Sequence, residues 1–156
     1  MENQTETTPF FDLGDSTALV CIDQQQFQKL VVPQLIDMNY KVHLGLFEED
    51  VLLKLKTYSY DVVLVHETFK GSKLETNPVL REVVSRSGTQ RREHFVVLLS
   101  QRFPTNDAMS AFVQSVDQII NTSDLANLKP VLRRGVAQYR ELYGPYHETV
   151  KAAQAM

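Results

Sequence analysis

The amino-acid sequence predicts a single α/β domain built on a doubly wound, five-stranded parallel sheet with helices on both faces. Three observations carry this. Five short, mostly apolar runs recur along the chain, at residues 18–22, 40–47, 61–65, 95–99 and 118–120. Each is followed by a segment whose apolar residues recur at helical spacing, the alternation that βα units produce. The central runs are continuously apolar rather than alternating, as strands covered on both faces must be. The 156 residues fit one domain, with 17–143 as its body, a flexible polar lead-in at 1–16 and a tail at 144–156.

Each element has its own signals. The lead-in is rich in Thr and acids, with Phe10 and Phe11 available to dock on the body. The first strand, 18–22, reads Ala-Leu-Val-Cys-Ile without a polar break. Phe27, Leu30, Val31, Leu35 and Met38 then mark a helix. Pro33 inside it is expected to kink it, at about 3 kcal/mol unless its surroundings relieve the strain. The second strand alternates enough to sit toward an edge. Glu48, Glu49 and Asp50 place acids at the positive end of the second helix, whose buried stripe is Val51, Leu52 and Leu55. The third strand ends at His66.

A polar stretch, 67–76, leads to a helix near 78–85 with Pro78 in its first turn. A basic loop at 87–92 precedes the fourth strand, which ends at Ser100. The next helix, near 106–115, is expected to turn Ala108, Ala111 and Phe112 inward. The fifth strand ends at Asn121, and Ser123 or Asp124 can cap the last helix. Leu125, Leu128, Val131, Leu132, Val136 and Tyr139 form its stripe, and Gly144-Pro145 is expected to stop it. Five such units give the flavodoxin-like strand order 2-1-3-4-5.

Composition narrows the function classes. A net charge of −3 gives no global attraction to nucleic acid or an anionic membrane, and Arg91-Arg92 is too small a basic cluster for a nucleic-acid stripe. Cys21 is the lone cysteine, so no disulfide can form within the chain, and a reducing cytoplasm is expected. The first residues lack a signal-peptide pattern, and no apolar run approaches the roughly 18–20 residues that span a bilayer. The turn Asp23-Gln24-Gln25-Gln26 lacks the glycines or hydroxyls that cradle a phosphate, and no Ser-His-Asp set is evident. The expectation is a soluble protein that is not an enzyme and holds no cofactor.

Several features then converge. The stretch 48–66 reads as a second helix and third strand without a gap, and ends in Asp61-Val62-Val63-Leu64-Val65 before a polar tip. Gly71 lies five residues beyond that tip, and Ser100 and Asn121 end the next two strands. In these features, over about residues 17–143, the chain resembles the receiver domain of two-component response regulators.

The resemblance implies a CheY-like fold with a pocket at the carboxyl ends of the strands. There an aspartate accepts a phosphoryl group, acids after the first strand hold a magnesium ion, and a lysine and a hydroxyl hold the phosphoryl oxygens. Carried over position by position, the aspartate is His66 and the acidic pair is Asp23 followed by Gln24. The hydroxyl is Ser100, the lysine is Asn121 followed by Thr122 in place of proline, and the aromatic switch is Gln118. Magnesium prefers oxygen ligands, and Asp23 is the one clear anion left; strand alternation turns Glu67 to the opposite face. The resemblance, with these departures, implies a pseudo-receiver that acts by protein contact without aspartyl phosphorylation.

The residues themselves leave alternatives open. His66 can be a structural group hydrogen-bonded to Asp23 or Ser100, a pH- or ligand-responsive group, or a phosphorylated or metal-binding histidine with Asp23 and Glu67. Asp23 can serve a polar pocket or cap the first helix. Ser100 and Asn121 suit a neutral hydrogen-bond network. His43, His66, His94 and His147 fall on different elements, which argues against a metal site. Lys129, Arg133, Arg134 and Arg140 in the last helix can be a solvated face or a surface for a protein partner, including a second copy of the chain. Cys21 reads as an inert core residue.

Overall fold

The structure, a computed structural model, describes residues 15–85 and 93–155. Phe10, Phe11 and the basic loop at 87–92 lie outside the described residues. The elements are β1 (Ser16–Cys21), α1 (Gln25–Asp37), β2 (Tyr40–Leu44), α2 (Glu48–Thr57), β3 (Val62–His66), α3 (Pro78–Val84), β4 (Phe95–Ser100), α4 (Ala108–Gln114), β5 (Gln118–Asn121) and α5 (Leu128–Ala155). Short 3-10 turns, Phe69–Gly71 and Leu74–Thr76, follow β3, and another, Thr122–Asn127, follows β5.

All strand pairings are parallel and the order is β2-β1-β3-β4-β5, the doubly wound arrangement expected from the sequence. The pleat sorts each strand between two cores. Leu19, Cys21, Val63, Val65, Val96, Leu98 and Ile119 pack with α2 and α3 residues such as Val51, Leu55, Val79 and Val83. Ala18, Val20, Val62, Leu64, Val97, Leu99 and Ile120 pack beneath α1 and α5 against Val31, Leu35, Leu128, Leu132 and Val136. Burial on both faces is why the strands read as unbroken apolar runs. Cys21 is fully buried, and that burial pushes its thiol pKa far up, so it is a core residue and not a nucleophile.

Several expectations are corrected. The first strand starts at Ser16, two residues before its apolar run. The second stops at Leu44, and Gly45 just beyond it packs closely on α2: a Cβ there would lie 2.3 Å from Val51 Cγ2. Pro33 lies inside α1, as expected, and on its exposed face, where the carbonyl left without an N–H partner can meet water. In α4 only Ala111 is buried, while Ala108 and Phe112 face outward. Asp107 is the N-cap, accepting from Ser110 N at 3.1 Å, and Val116 takes the inner place beyond the left-handed Ser115.

The last helix corrects two further points. Neither Ser123 nor Asp124 caps it, since a 3-10 turn comes first and Asn121 is that turn's cap. It also runs through Gly144 and Pro145 to Ala155. A proline removes one intrahelical bond, and the following Lys151-Ala152-Ala153-Gln154-Ala155 are strong helix formers that carry the helix on. Among the described residues no helix is long and apolar enough to cross a membrane.

Candidate functional site

The carboxyl ends of β1, β3, β4 and β5 bring Asp23, Gln24, His66, Ser100 and Asn121 to one edge of the sheet. His66 is the last residue of β3 and is fully buried. It follows Val62 and Leu64 in the alternation and so points beneath α1, where the Phe27 ring stacks on it with centroids 5.6 Å apart. Thr68 N donates to its Nδ1 at 3.2 Å, which makes Nδ1 an acceptor and assigns the ring proton to Nε2. Thr68 Oγ1 lies 3.0 Å from the same nitrogen. Burial holds the His66 pKa below the ordinary histidine value, against the opposing influence of the Glu67 and Asp23 charges.

The partners expected for His66 are therefore wrong: it bonds neither Asp23 nor Ser100. Asp23 is exposed and accepts from Lys70 N at 2.9 Å. Lys70 and Gly71 both have left-handed backbones, with φ of 57° and 75°, so Gly71 meets a conformation that favours glycine. Gln24 is the N-cap residue of α1, half-buried, without a side-chain capping bond.

Glu67 does face away from His66, as alternation requires, and it turns into a hydrogen-bond network on the other face of the sheet. The face it enters is the one that carries Ser100. Ser100 Oγ donates to Glu67 Oε1 at 2.9 Å, and Gln101 N donates to Oε2 at 2.8 Å. Ser100 Oγ in turn accepts from Arg102 N at 2.9 Å and Phe103 N at 3.1 Å. Asn77, which the sequence reading missed, clamps the same strand end. Its Nδ2 donates to the His66 carbonyl at 3.0 Å and the Glu67 carbonyl at 3.3 Å, while its Oδ1 caps α3 by accepting from Val79 N and Leu80 N. The Asn-Pro pair at 77–78 was the available signal, since it marks a helix start.

Asn121 is spent on structure. Its Nδ2 donates to the Phe103 carbonyl at 2.8 Å and its Oδ1 accepts from Ser123 N at 3.0 Å and Ser123 Oγ at 2.8 Å. Gln118 is buried, and its Nε2 donates to Asn106 Oδ1 at 2.9 Å and the Val131 carbonyl at 3.1 Å. It lies against α5 where that helix has no side chain: a Cβ on Gly135 would come 2.5 Å from Gln118 Oε1.

Gln118 also forms part of the floor of a groove of about 600 Å³ between α4 and α5. Phe112 and Leu142 line it, 81% and 70% exposed, and Met109 extends the apolar surface of α4 at 71%. Of the four cations singled out on the last helix, only Arg134 lines this groove. Lys129 pairs with Asp37 of α1, and its backbone N–H donates to Gln34 Oε1 at 2.9 Å. Arg133 lies within electrostatic reach of Asp37 and Arg140 of Tyr40, so these two belong to the α1–β2 side.

The residues do not suit the divalent ion that the receiver resemblance implies. Asp23 turns to Lys70 and Glu67 turns to Ser100, and among the described residues no three His, Cys, Asp or Glu side chains converge. Octahedral oxygen coordination needs more than one anion at this edge.

No family model matches the chain, and no curated protein matches it in sequence. Solved structures match its fold. An orphan response regulator of H. pylori is 17% identical, with a TM-score of 0.58 over 78% of this chain and 97% of that one. A response regulator from Thermotoga maritima is 16% identical, with a TM-score of 0.59 over 79% and 98%. The signal receiver domain of a DNA-binding response regulator from Colwellia psychrerythraea is 14% identical, with a TM-score of 0.62 over 79% and 99%. The chain thus has the CheY-like fold of response-regulator receiver domains.

Proposed function

We propose that this chain is a receiver-like signalling module that works through protein–protein contact and is not switched by phosphoryl transfer to its third strand. The carrying observation is the setting of His66 at the β3 tip. A ring covered by Phe27, with Nδ1 accepting from Thr68, turns no free nucleophilic lone pair to solvent. Two further observations support the reading. Asn121, where the resemblance places a lysine, is neutral and engaged by Phe103 and Ser123. The acids nearby do not converge on a cation. Nucleophile, counter-charge and metal are each needed to carry the charge of a transferring phosphoryl group.

The contact surface in this proposal is the α4–α5 groove. Lone exposed apolar residues are ordinary, whereas a contiguous apolar rim around a groove marks a place where another protein sits. Phe112 and Leu142 supply that rim, Met109 adds exposed apolar surface beside it on α4, and Arg134 supplies one positive charge. The test is to add beryllofluoride with magnesium, a mimic of a small phosphodonor's product, and follow backbone amide resonances. No shift is expected at Gln118 or Phe112. Stoichiometric, saturable shifts at the strand ends and the groove together would overturn the proposal.

A further inference from the structure

We infer that Glu67 is a positioning residue: its buried carboxylate fixes the loop between β4 and α4 and, through that loop, the floor of the α4–α5 groove. The inference does not depend on what docks there. A buried carboxylate is costly unless its lone pairs are met. Those of Glu67 are met by neutral donors that all belong to the end of β4 and the loop after it, Ser100 Oγ and Gln101 N.

The direction of the chain of bonds is forced. Arg102 N and Phe103 N can only donate, and both donate to Ser100 Oγ. The single hydroxyl proton of Ser100 must therefore go elsewhere, and Glu67 Oε1 accepts it. An acceptor at position 67 thus orients the hydroxyl, and the hydroxyl holds two successive loop amides.

From Phe103 the connections run to the groove. The Phe103 carbonyl accepts from Asn121 Nδ2 at 2.8 Å, and Asn121 N donates to Thr105 Oγ1 at 2.9 Å. Thr105 Oγ1 then donates to Asp124 Oδ2 at 2.5 Å. Next along the loop, Asn106 sits in a left-handed conformation at φ 64°, which asparagine adopts more readily than other side chains. It is held by Asn106 N donating to the Ile119 carbonyl at 2.8 Å and by Gln118 Nε2 donating to its Oδ1 at 2.9 Å. Asn106 and Gln118 are both groove residues.

The experiment is amide hydrogen exchange on the full chain carrying Glu67→Gln, Ser100→Ala, or both. Glu67→Gln keeps the shape but offers an amide N–H to a site that supplies only donors. Exchange should rise by about tenfold or more at Gln101, Arg102 and Phe103, and also at Asn106 and Asn121, while Val20 and Leu64 in the sheet keep their protection. Ser100→Ala should reproduce the rise from Arg102 to Asn121, and the double variant should add little to the larger single effect, as members of one network do. Exchange confined to Gln101, Arg102 and Phe103, or additive effects in the double variant, would overturn the inference. If Glu67→Gln does not fold, Ser100→Ala decides alone: a rise at Asn106 and Asn121 supports the relay and its absence refutes it.

Discussion

On the β1–β3 half of the sheet's carboxyl edge, His66 is held by cover. Phe27 lies on its ring, and its backbone donor is Thr68 N, two residues along its own chain. On the β3–β4–β5 half, Glu67, Ser100 and Asn121 are held by a mesh of hydrogen bonds between segments far apart in sequence. The pleat divides the halves, because adjacent residues 66 and 67 face opposite layers. The difference shows how one edge can keep its scaffold while its chemistry changes. The covered half tolerates a neutral ring, and the meshed half satisfies its one buried carboxylate without a cation.

The largest expected effect comes from restoring the acid on the covered half. His66→Asp places a carboxylate under Phe27 with no cation facing it, and should destabilise the fold by roughly 3 kcal/mol in chemical denaturation. A near-neutral result would mean that this half is open to water and can house an anion.

Next is the contact of α5 with Gln118. An Ala for Gly exchange inside a helix ordinarily stabilises by about 1 kcal/mol. At Gly135 the new Cβ would strike the end of the Gln118 side chain, which must shift and loosen its bonds to Asn106 and Val131, so Gly135→Ala should lose that gain and instead cost about 1 kcal/mol. In a Gln118→Ala background the cost should vanish, a coupling that a double-mutant cycle reads directly.

A smaller effect follows from the His66 pKa. Burial lowers it in the folded state, so the unfolded chain takes up this proton more readily. The contribution is complete above the unfolded value, near 6.5, and is lost as pH falls below it toward the folded value. Stability should fall between pH 7 and 5, and His66→Gln should flatten the profile by a slope of no more than about 1.4 kcal/mol per pH unit. An unchanged profile would show that other groups set the acid response. Smallest is Phe112→Ser at the groove rim, expected to change stability by no more than about 0.5 kcal/mol because the side chain is exposed. A larger loss would mean that Phe112 supports the fold itself.

The fold was legible because doubly buried strands leave unbroken runs such as Val62–His66, and the strand-end positions Asp23, His66, Ser100 and Asn121 could be counted from them. What could not be read are contacts made across sequence. Glu67 and Ser100 are 33 residues apart, and Asn77 reaches back across a loop to His66, so no local periodicity records either pairing. The alternation of Glu67 was right, yet it carried no information about which hydroxyl waited on the other face. Helix phase was the second gap: α4 turns only Ala111 inward and leaves Phe112 exposed, although both belong to the same apolar stripe in the sequence. Gly144 and Pro145 were a stop signal on local grounds, and the helix overran them because the residues beyond favour helix.

Central to the account is that no side chain at this edge serves as a phosphoryl acceptor. The direct measurement is intact-mass analysis of the chain after incubation with a small phosphodonor and magnesium. The unmodified mass alone is expected; a stoichiometric phosphoryl adduct, an acyl phosphate on Asp23 or Glu67 or a phosphoramidate on His66, would contradict it.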